Sequence, residues 1–257
     1  MARAHYVGRE PLPPITPSQY AVGVLYIVYA QNATSNDKFT AVERYLAEAA
    51  SSARSSRAND PSLPAALATN VELVDEKSFS LVLRTVPKET AHLPLWMPRV
   101  LAIAASPFEL TLALDSHATA CTHGLHAALM REHQLNRLDL AVNFEATIGL
   151  RSQPARRRHG LWAMISSLWG AHARAHKRLP PPWRWPNRPG RDVAPQSFVE
   201  MLPHNWALLV RRSAGGRALL ARWAFALRCA NCGWTDQYAL QAVLWYLNAT
   251  RSAADQE

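Results

Sequence analysis

A run of apolar and β-forming residues that ends abruptly in an acidic residue is the feature that most constrains the fold of this chain. Residues 108–114 read FELTLAL, and Asp115, Ser116 and His117 follow at once. A continuous run of this length between turn residues predicts a strand covered on both faces. In open α/β sheets ligands bind outside the carboxyl ends of the strands, so Asp115 is predicted to face a binding cleft. The alternative role for Asp115 is a helix N-cap, which needs no ligand.

Apolar periodicity elsewhere predicts alternating strands and helices, the order typical of an α/β fold. Residues 37–56 carry one apolar stripe at steps of three and four residues, the pattern of an amphipathic helix. Strands are predicted over 22–30, 65–68, 79–83 and 138–143, and further helices over 93–105, 121–133, 161–176, a stretch from 215, and 235–247.

The chain is long enough for one large α/β domain, since it has 257 residues and about half of them are apolar. We expect a polar, proline-containing arm over 1–20, the domain over 21–250 and a tail over 251–257. The sequence has no run of about 18 apolar residues and no basic-plus-apolar leader, so no transmembrane segment is expected. Two locations stay open: the cytoplasm or, if an anchor lies outside this chain, the secretory pathway and its Golgi compartment.

Five blocks of sequence occur in the order typical of one enzyme family. Residues 106–117 resemble the central strand and DxD motif of GT-A glycosyltransferases of the nucleotide-diphospho-sugar transferase type, which often read S-P-F-x-x-T-L-x-L-D-x-D. Residues 23–29 resemble the first strand of that family, and residues 63–70 resemble its second strand, which ends in Thr-Asn. Residues 204–213 resemble its Asn-Ser/Thr-Gly-Val strand, and residues 236–240 resemble its Asp-Gln-x-x-Leu helix start.

The resemblance implies a GT-A-like, Rossmann-like α/β fold with a mixed, mainly parallel sheet flanked by helices in a single domain. It also implies a glycosyltransferase that moves a sugar from a nucleotide-diphosphate donor, most simply UDP- or GDP-linked, to an acceptor hydroxyl. A divalent ion, Mn²⁺ or Mg²⁺, would stabilise the diphosphate leaving group. Inversion and retention at the sugar carbon both stay open.

The same resemblance assigns roles to residues of this chain. It implies a donor site formed by Tyr26, Tyr29, Thr69, Asn70, Arg99, Asp115, Asn205 and Gln237, metal ligands at Asp115 and His117, and catalytic carboxylates at Asp236 and Glu145. Residue chemistry alone leaves other roles open. Asp236 and Gln237 also suit the first turn of a helix, where they complement the helix dipole. Glu145 also suits a solvated loop.

Two positions depart from the family pattern. His117 stands where the second carboxylate of the DxD motif is expected, and Trp206 and Ala207 replace the small residues that follow Asn205. Imidazole is a competent ligand for Mn²⁺ or Zn²⁺, but it suits a hard, oxygen-seeking ion less well than a carboxylate does. We therefore expect either an enzyme with an altered metal preference or a catalytically degenerate one.

A basic, aromatic segment spans residues 151–191. It holds ten Lys or Arg residues, four Trp residues and no Asp or Glu, so its charge of +10 exceeds the net charge of +9 of the whole chain. Such a segment suits an anionic acceptor or the donor diphosphate. Nucleic acid is a second possible partner, and a solvated loop with one packed helix is the structural alternative. The alternative function is thus a degenerate GT-A-like protein that binds nucleic acid or an anionic polymer.

Other catalytic templates are absent from the sequence. It contains no P-loop, no G-x-G-x-x-G fingerprint, no G-x-S-x-G elbow and no H-E-x-x-H motif. Cys229 and Cys232 form a single CxxC, which we interpret as structural thiols or a local disulfide rather than half of a zinc site. His123 and His126 are interpreted as surface residues of the helix after Asp115.

Overall fold

A computed structural model of the chain describes residues 18–30, 36–71, 75–84, 96–119, 123–146 and 201–227, together with Leu12 and six helical residues between 236 and 244. For residues 36–41, 143–146 and 201–206 it describes the backbone alone. The strands of this part are β1 (Tyr20–Val28), β2 (Ala65–Thr69), β3 (Leu81–Leu83), β4 (Phe108–Leu114), β5 (Leu140–Ala146) and β6 (Met201–Arg211). Its helices are α1 (Asn36–Asn59), α2 (Met97–Ala104), α3 (Leu125–Leu135) and α4 (Ala214–Leu227), with a 3-10 turn at Glu76–Ser78.

The strands form one sheet with the order β3-β2-β1-β4-β6-β5. The first four strands in this order are parallel, whereas β6 is antiparallel to both β4 and β5. The predicted mixed, mainly parallel sheet with flanking helices is therefore confirmed. The chain moves outward from β1 to β3 and then returns across β1 to form β4. Strand order thus reverses between β1 and β4, and such a switch point leaves a crevice at the carboxyl ends of the strands.

Helices cover both faces of the sheet. The α1 face holds a core of α1 and α3 side chains over Val24, Tyr26 and Leu67. The α2 face holds a second core, in which α2 and α4 pack over Leu25 of β1 and over side chains of β4 and β6. Neighbouring residues of β1 enter different cores because side chains alternate along a strand. Each fully buried aliphatic side chain contributes roughly 1.5–3 kcal/mol, so both cores hold the sheet in place.

Most predicted elements are present with shifted ends, and tertiary contacts explain the shifts. β1 begins before the predicted residue 22 because the backbone N–H groups of Gln19 and Tyr20 donate to the carbonyl of Pro107, at 2.9 and 3.3 Å. α3 begins only at Leu125, after Gly124, whose φ of 79° lies in the left-handed region that favours glycine. The helix predicted over 161–176 lies outside the described residues.

The pairing of β5 with β6 is interrupted beside the end of β4. Val142 pairs with Leu208, but Asn143 pairs with His204, so residues 205–207 form a bulge in β6. Ala207, within this bulge, pairs with Leu114, the last residue of β4. Bulges are over-represented next to active sites, where they redirect side chains.

In the part of the chain that the structure describes, no helix has both the length and the apolar composition of a membrane span.

Candidate functional site

Three charged side chains meet at the carboxyl end of β4. Asp115 follows the last residue of β4, Arg99 lies in the first turn of α2, and Asp236 belongs to the C-terminal helical residues. Nη1 of Arg99 donates to Oδ1 of Asp115 at 2.6 Å. Nε of Arg99 lies 3.9 Å from Oδ2 of Asp236. The guanidinium group therefore lies between two carboxylates that are far apart in the sequence.

The members of this cluster differ in burial. The Asp236 side chain is 5% exposed, that of Arg99 13% and that of Asp115 27%. Charged groups this far from solvent are stable only with a partner, and the shared guanidinium supplies it. Asp115 is the most exposed of the three side chains, so it is the member of the cluster most accessible to a ligand.

Burial makes the Asp236 carboxyl group a weaker acid than an exposed aspartate. Loss of solvation raises the pKa of Asp236 above its ordinary value, and this outweighs the lowering by Arg99 and by the backbone N–H of Gln237. The nearby charge of Asp115 raises the pKa further. The Gln237 N–H donates to Oδ1 of Asp236 at 2.9 Å, which orients the carboxyl group. A carboxylate with a raised pKa is a better proton acceptor than an exposed one.

A buried tryptophan fixes the backbone of Asp236. Nε1 of Trp223, on α4, donates to the carbonyl oxygen of Asp236 at 2.8 Å, and the Trp223 side chain is fully buried. The sequence indicated only that Trp223 lies on the apolar face of its helix. Its indole N–H was the available signal, because a buried Trp needs an acceptor for that group.

Helix α1 anchors the turn that carries Asp115. The hydroxyl of Ser52 donates to the carbonyl of Ser116 at 3.0 Å, and the hydroxyl of Ser116 donates to Glu48 at 3.3 Å. Asp115 itself accepts the Ala118 N–H through its backbone carbonyl and uses its side chain for Arg99. The next helix is capped by Gly124, so the alternative prediction of Asp115 as a helix N-cap is wrong.

His117 lies exposed in the turn after Asp115. Among the described residues, no group of three or more His, Cys, Asp or Glu side chains is arranged to hold a metal ion. Asp115 and His117 would therefore supply two ligands at most. Divalent ions at phosphate sites commonly take only one or two protein ligands and fill the other positions with phosphate oxygens and water. The donor set fits a metal ion only in that limited sense, and the metal stays a prediction.

The two tyrosines predicted for the donor site lie on different faces of the sheet. Tyr26 is fully buried in the α1 face, where its hydroxyl lies 3.2 Å from that of Ser56 and burial raises its pKa. It does not reach the Asp115 cluster. Tyr29 follows the end of β1 and packs on the α2 face, the face that also carries Arg99. Tyr29 is thus the better placed of the two for a ligand in the crevice.

Thr69 and Asn70 shape the edge of the crevice. Thr69 is fully buried, and its hydroxyl accepts the N–H of Val71 at 3.2 Å. The Asn70 side chain accepts the N–H of Ala30 at 2.8 Å and donates to the Ala30 carbonyl at 2.9 Å. This two-way contact fixes the ends of β1 and β2 to each other at the edge where Asp115 lies.

Glu145 and Asn205 are placed by their backbones. Glu145 pairs with Leu202 within β5, so the structure places it in a strand rather than in the loop proposed as its alternative. Asn205 lies in the β6 bulge, two residues before the one that pairs with Leu114. Gln237 is half-buried beside Asp236. The basic segment 151–191, Cys229 and Cys232 lie outside the described residues.

The predicted surface histidines pack at the end of α1. A ring nitrogen of His123 lies 2.8 Å from the carbonyl oxygen of Asn59. The backbone N–H of His126 donates to the Asp60 side chain at 2.8 Å. His123 is exposed, as predicted, and His126 is half-buried.

Comparison of the chain with protein-family models gives no match, and comparison with curated proteins gives none either.

Proposed function

We propose that this protein is a glycosyltransferase that binds a nucleotide-diphosphate sugar in the crevice at the carboxyl ends of β1 and β4. The Asp115–Arg99–Asp236 cluster carries this proposal, because it unites three residues that the GT-A resemblance assigns to the donor and catalytic site. The strand order supports it, since the cluster lies at the switch point where open α/β sheets bind ligands.

Each of the three charged residues has its own role in the proposed sugar transfer. As the bond from the sugar to the diphosphate breaks, the leaving diphosphate takes the bonding electrons, and a fixed cation such as Arg99 stabilises that charge. Asp115, the most exposed member, orients the ribose or a metal ion. Mn²⁺ or Mg²⁺, when bound by Asp115 and His117, would add to the charge stabilisation.

Asp236 is the candidate base of an inverting reaction. The acceptor hydroxyl passes its proton to the Asp236 carboxylate while the acceptor oxygen bonds to the sugar carbon. The raised pKa of Asp236 favours this proton transfer, and the Gln237 N–H and the Trp223 indole hold the residue in place. Glu145 is the second candidate, and in a retaining reaction the carboxylates have different roles.

A nucleotide-release assay tests this proposal. The protein is incubated with UDP- and GDP-sugars, with Mn²⁺, Mg²⁺ or a chelator, and free nucleoside diphosphate is measured. We expect release from one donor class, and a loss of about 100-fold or more in Arg99→Gln, the scale seen when one fixed donor to a transition-state charge is removed. His117→Ala tests the metal role, since it should weaken any stimulation by Mn²⁺.

The matched control is a second Arg–Asp pair of the same length. Arg54 and Asp75 also lie 2.6 Å apart, but they are about half exposed. Arg54 belongs to α1, which packs on the face of the sheet opposite to α2 and Arg99. Arg54→Gln should therefore release nucleotide at the wild-type rate. Absence of release from every donor, or full release in Arg99→Gln, would contradict the proposed role.

Binding of nucleic acid or an anionic polymer through 151–191 is the alternative function. The described residues nearest to this segment on either side are Ala146 and Met201, and they pair with each other. The two residues lie past the β6 bulge, toward the end of the sheet where β4 leads into Asp115. Replacement of the second DxD carboxylate by His117 favours this alternative. Its test is salt-dependent binding of nucleic acid that disappears when Arg156, Arg157 and Arg158 are neutralised.

A further inference from the structure

Helix α1 carries a line of polar side chains on a face that packs against the sheet. Glu48, Ser52 and Ser56 follow each other at steps of four residues, so they share one side of the helix. Ser52 and Ser56 are buried, and 34% of the Glu48 side chain is exposed. Because the buried face of a helix is ordinarily apolar, polar residues there indicate specific hydrogen-bond partners.

Small neighbours bring these polar groups close to their partners. Ala49 and Ala53, on either side of Ser52, are fully buried in the core of the α1 face. Their methyl groups let the helix lie near the sheet, so short hydroxyl side chains can reach across. The Ser56 hydroxyl lies 3.2 Å from that of Tyr26 on β1, and Ser52 reaches the turn after β4.

Ser52 and Glu48 hold this turn by both its backbone and its side chains. The Ser52 hydroxyl donates to the carbonyl oxygen of Ser116 at 3.0 Å and accepts from the Thr119 hydroxyl at 3.2 Å. The Ser116 hydroxyl donates to the Glu48 carboxylate at 3.3 Å. Two residues of α1 thus contact both ends of the segment 116–119.

Asp115 is therefore held from both faces of the sheet. On the α2 face, Arg99 donates to its side chain at 2.6 Å. On the α1 face, Ser52 and Glu48 hold the residue that follows it. Within the turn, the Ala118 N–H donates to the Asp115 carbonyl at 2.9 Å. The position of the Asp115 carboxylate thus depends on α1 as well as on α2.

We propose that Ser52 and Glu48 are positioning residues of the donor site. They keep the Asp115 turn in the arrangement that binds nucleotide, and neither of them touches the substrate. The GT-A resemblance assigns no residue of α1 to the site. This inference rests on the proposed nucleotide site. When a turn is held less firmly, a smaller fraction of molecules is ready to bind, and the apparent dissociation constant rises by the inverse of that fraction.

Ser52→Ala, compared with Ser51→Ala, tests the role of the hydroxyl. Ser51 is the exposed neighbour of Ser52 on the same helix, so its variant is the matched control. Calorimetric titration with UDP and GDP measures the affinity of each folded protein. We expect Ser52→Ala to bind the preferred nucleotide roughly fivefold more weakly than wild type, the factor that corresponds to one net hydrogen bond. Ser51→Ala should bind like wild type.

Two variants of Glu48 separate its hydrogen bond from its charge. Glu48→Gln keeps a side-chain oxygen that can accept the Ser116 hydroxyl, whereas Glu48→Ala removes the acceptor. Nucleotide affinity should therefore fall in Glu48→Ala and return close to wild type in Glu48→Gln. Equal affinity in Glu48→Ala and wild type, or an equal loss in both variants, would overturn the positioning role of Glu48.

A double-mutant cycle tests whether Ser52 acts through Asp115. The effect of Ser52→Ala on nucleotide affinity is measured in wild type and again in Asp115→Asn. If the hydroxyl works by placing the carboxylate, its effect should largely disappear in Asp115→Asn, because the group that it positions has changed. Fully additive effects would mean that Ser52→Ala acts on the protein in general, and they would overturn the proposal.

Hydrogen exchange of the Ala118 amide gives a readout that needs no ligand. Exchange should be faster in Ser52→Ala than in Ser51→Ala, because the turn opens more often when its anchor is lost. Unchanged exchange, or wild-type affinity in Ser52→Ala, would overturn the positioning role while the donor site itself stands. Absence of nucleotide binding in wild type would instead overturn the donor site, and the positioning role with it.

Discussion

Arg99 donates a hydrogen bond of 2.6 Å to Asp115, and this contact joins the first turn of α2 to the end of β4. The same guanidinium group faces the more buried Asp236. The cluster of Arg99, Asp115 and Asp236 thus connects three segments of the chain at the edge of the sheet where a ligand is expected. The contact has a structural role, and we propose a chemical role beside it, so variants of these residues need both stability and binding measurements.

Arg99→Lys separates charge from geometry. Lysine keeps the positive charge but cannot contact both carboxylates with one planar group. We expect the free energy of unfolding, measured in urea, to fall by about 1.5 kcal/mol, the scale of one charge-assisted hydrogen bond. Arg54→Lys, in the exposed pair with Asp75, should lose less than about 1 kcal/mol. Equal losses in the two variants would mean that the Arg99 pair is an ordinary surface ion pair.

Asp236→Asn tests the cost of burying a carboxylate. Burial raises the pKa of Asp236 in the folded state, so the folded protein holds this proton more tightly than the unfolded chain does. The stability that comes from this proton is complete below the ordinary pKa of 3.8 and is lost as the pH rises through the raised value. We therefore expect Asp236→Asn to be more stable than wild type at neutral pH, with the difference shrinking in acid.

Urea denaturation at several pH values measures this difference. Sugar transfer by Asp236→Asn should be strongly reduced even though the variant is more stable, because the amide cannot accept the proton. A stability difference that stays constant with pH would show that Asp236 does not titrate abnormally.

Trp223→Phe removes the indole donor but keeps a buried ring. The carbonyl of Asp236 then loses the 2.8 Å hydrogen bond from the indole, at a cost of about 1 kcal/mol. Because Trp223 positions Asp236 without touching a substrate, we expect sugar transfer to fall while nucleotide affinity stays near wild type. Thermal unfolding and a kinetic comparison of kcat with KM distinguish this outcome from general destabilisation, which would lower both alike.

Tyr26→Phe should change stability and leave nucleotide binding intact. The variant loses the 3.2 Å contact with Ser56 in the α1 face, at a cost of about 1 kcal/mol in the free energy of unfolding. Binding should not change, since the Tyr26 side chain lies in a core that does not include the Asp115 cluster. Weaker nucleotide binding in the folded variant would return Tyr26 to the donor site.

Gly23→Ala tests the packing between β1 and β4. A Cβ at position 23 would lie only 2.3 Å from the Phe108 ring, so the ring must move. Overpacking of this kind costs about 1–3 kcal/mol. Phe108→Leu should recover part of the loss in the double variant, because the smaller side chain leaves room for the new methyl group.

The sequence predicts β4 and its terminal Asp115 because an apolar run that stops at a carboxylate has few structural alternatives. It could not tell which side of the sheet Tyr26 faces. Residues 22 and 24–28 are all apolar or aromatic, so the run lacks the alternation that identifies a face. The pairing of Arg99 with both carboxylates depends on tertiary contacts, and it was not predicted. The GT-A resemblance assigned the three residues to the donor and catalytic site without indicating that they touch.

A cavity of about 590 Å³ between the start of β4 and the end of β6 gave no signal in the sequence. Its wall joins Phe108 with residues about a hundred positions later, and only the pairing of β4 with β6 brings them together. The role of Trp223 was missed for a related reason, since its acceptor is a backbone carbonyl beyond the end of its own helix. Contacts of both kinds follow from the tertiary structure rather than from local pattern.

Calorimetric titration of UDP, GDP and their sugars, with and without Mn²⁺, tests the donor site most directly. The proteins compared are wild type, Asp115→Asn and, as the matched control, Asp75→Asn, which alters the second 2.6 Å Arg–Asp pair. We predict that one nucleotide class binds wild type and Asp75→Asn equally and binds Asp115→Asn at least about tenfold more weakly, the scale of a lost charge-assisted contact. No nucleotide binding by the folded wild type, or equal affinity in Asp115→Asn, would contradict a donor site at this cluster.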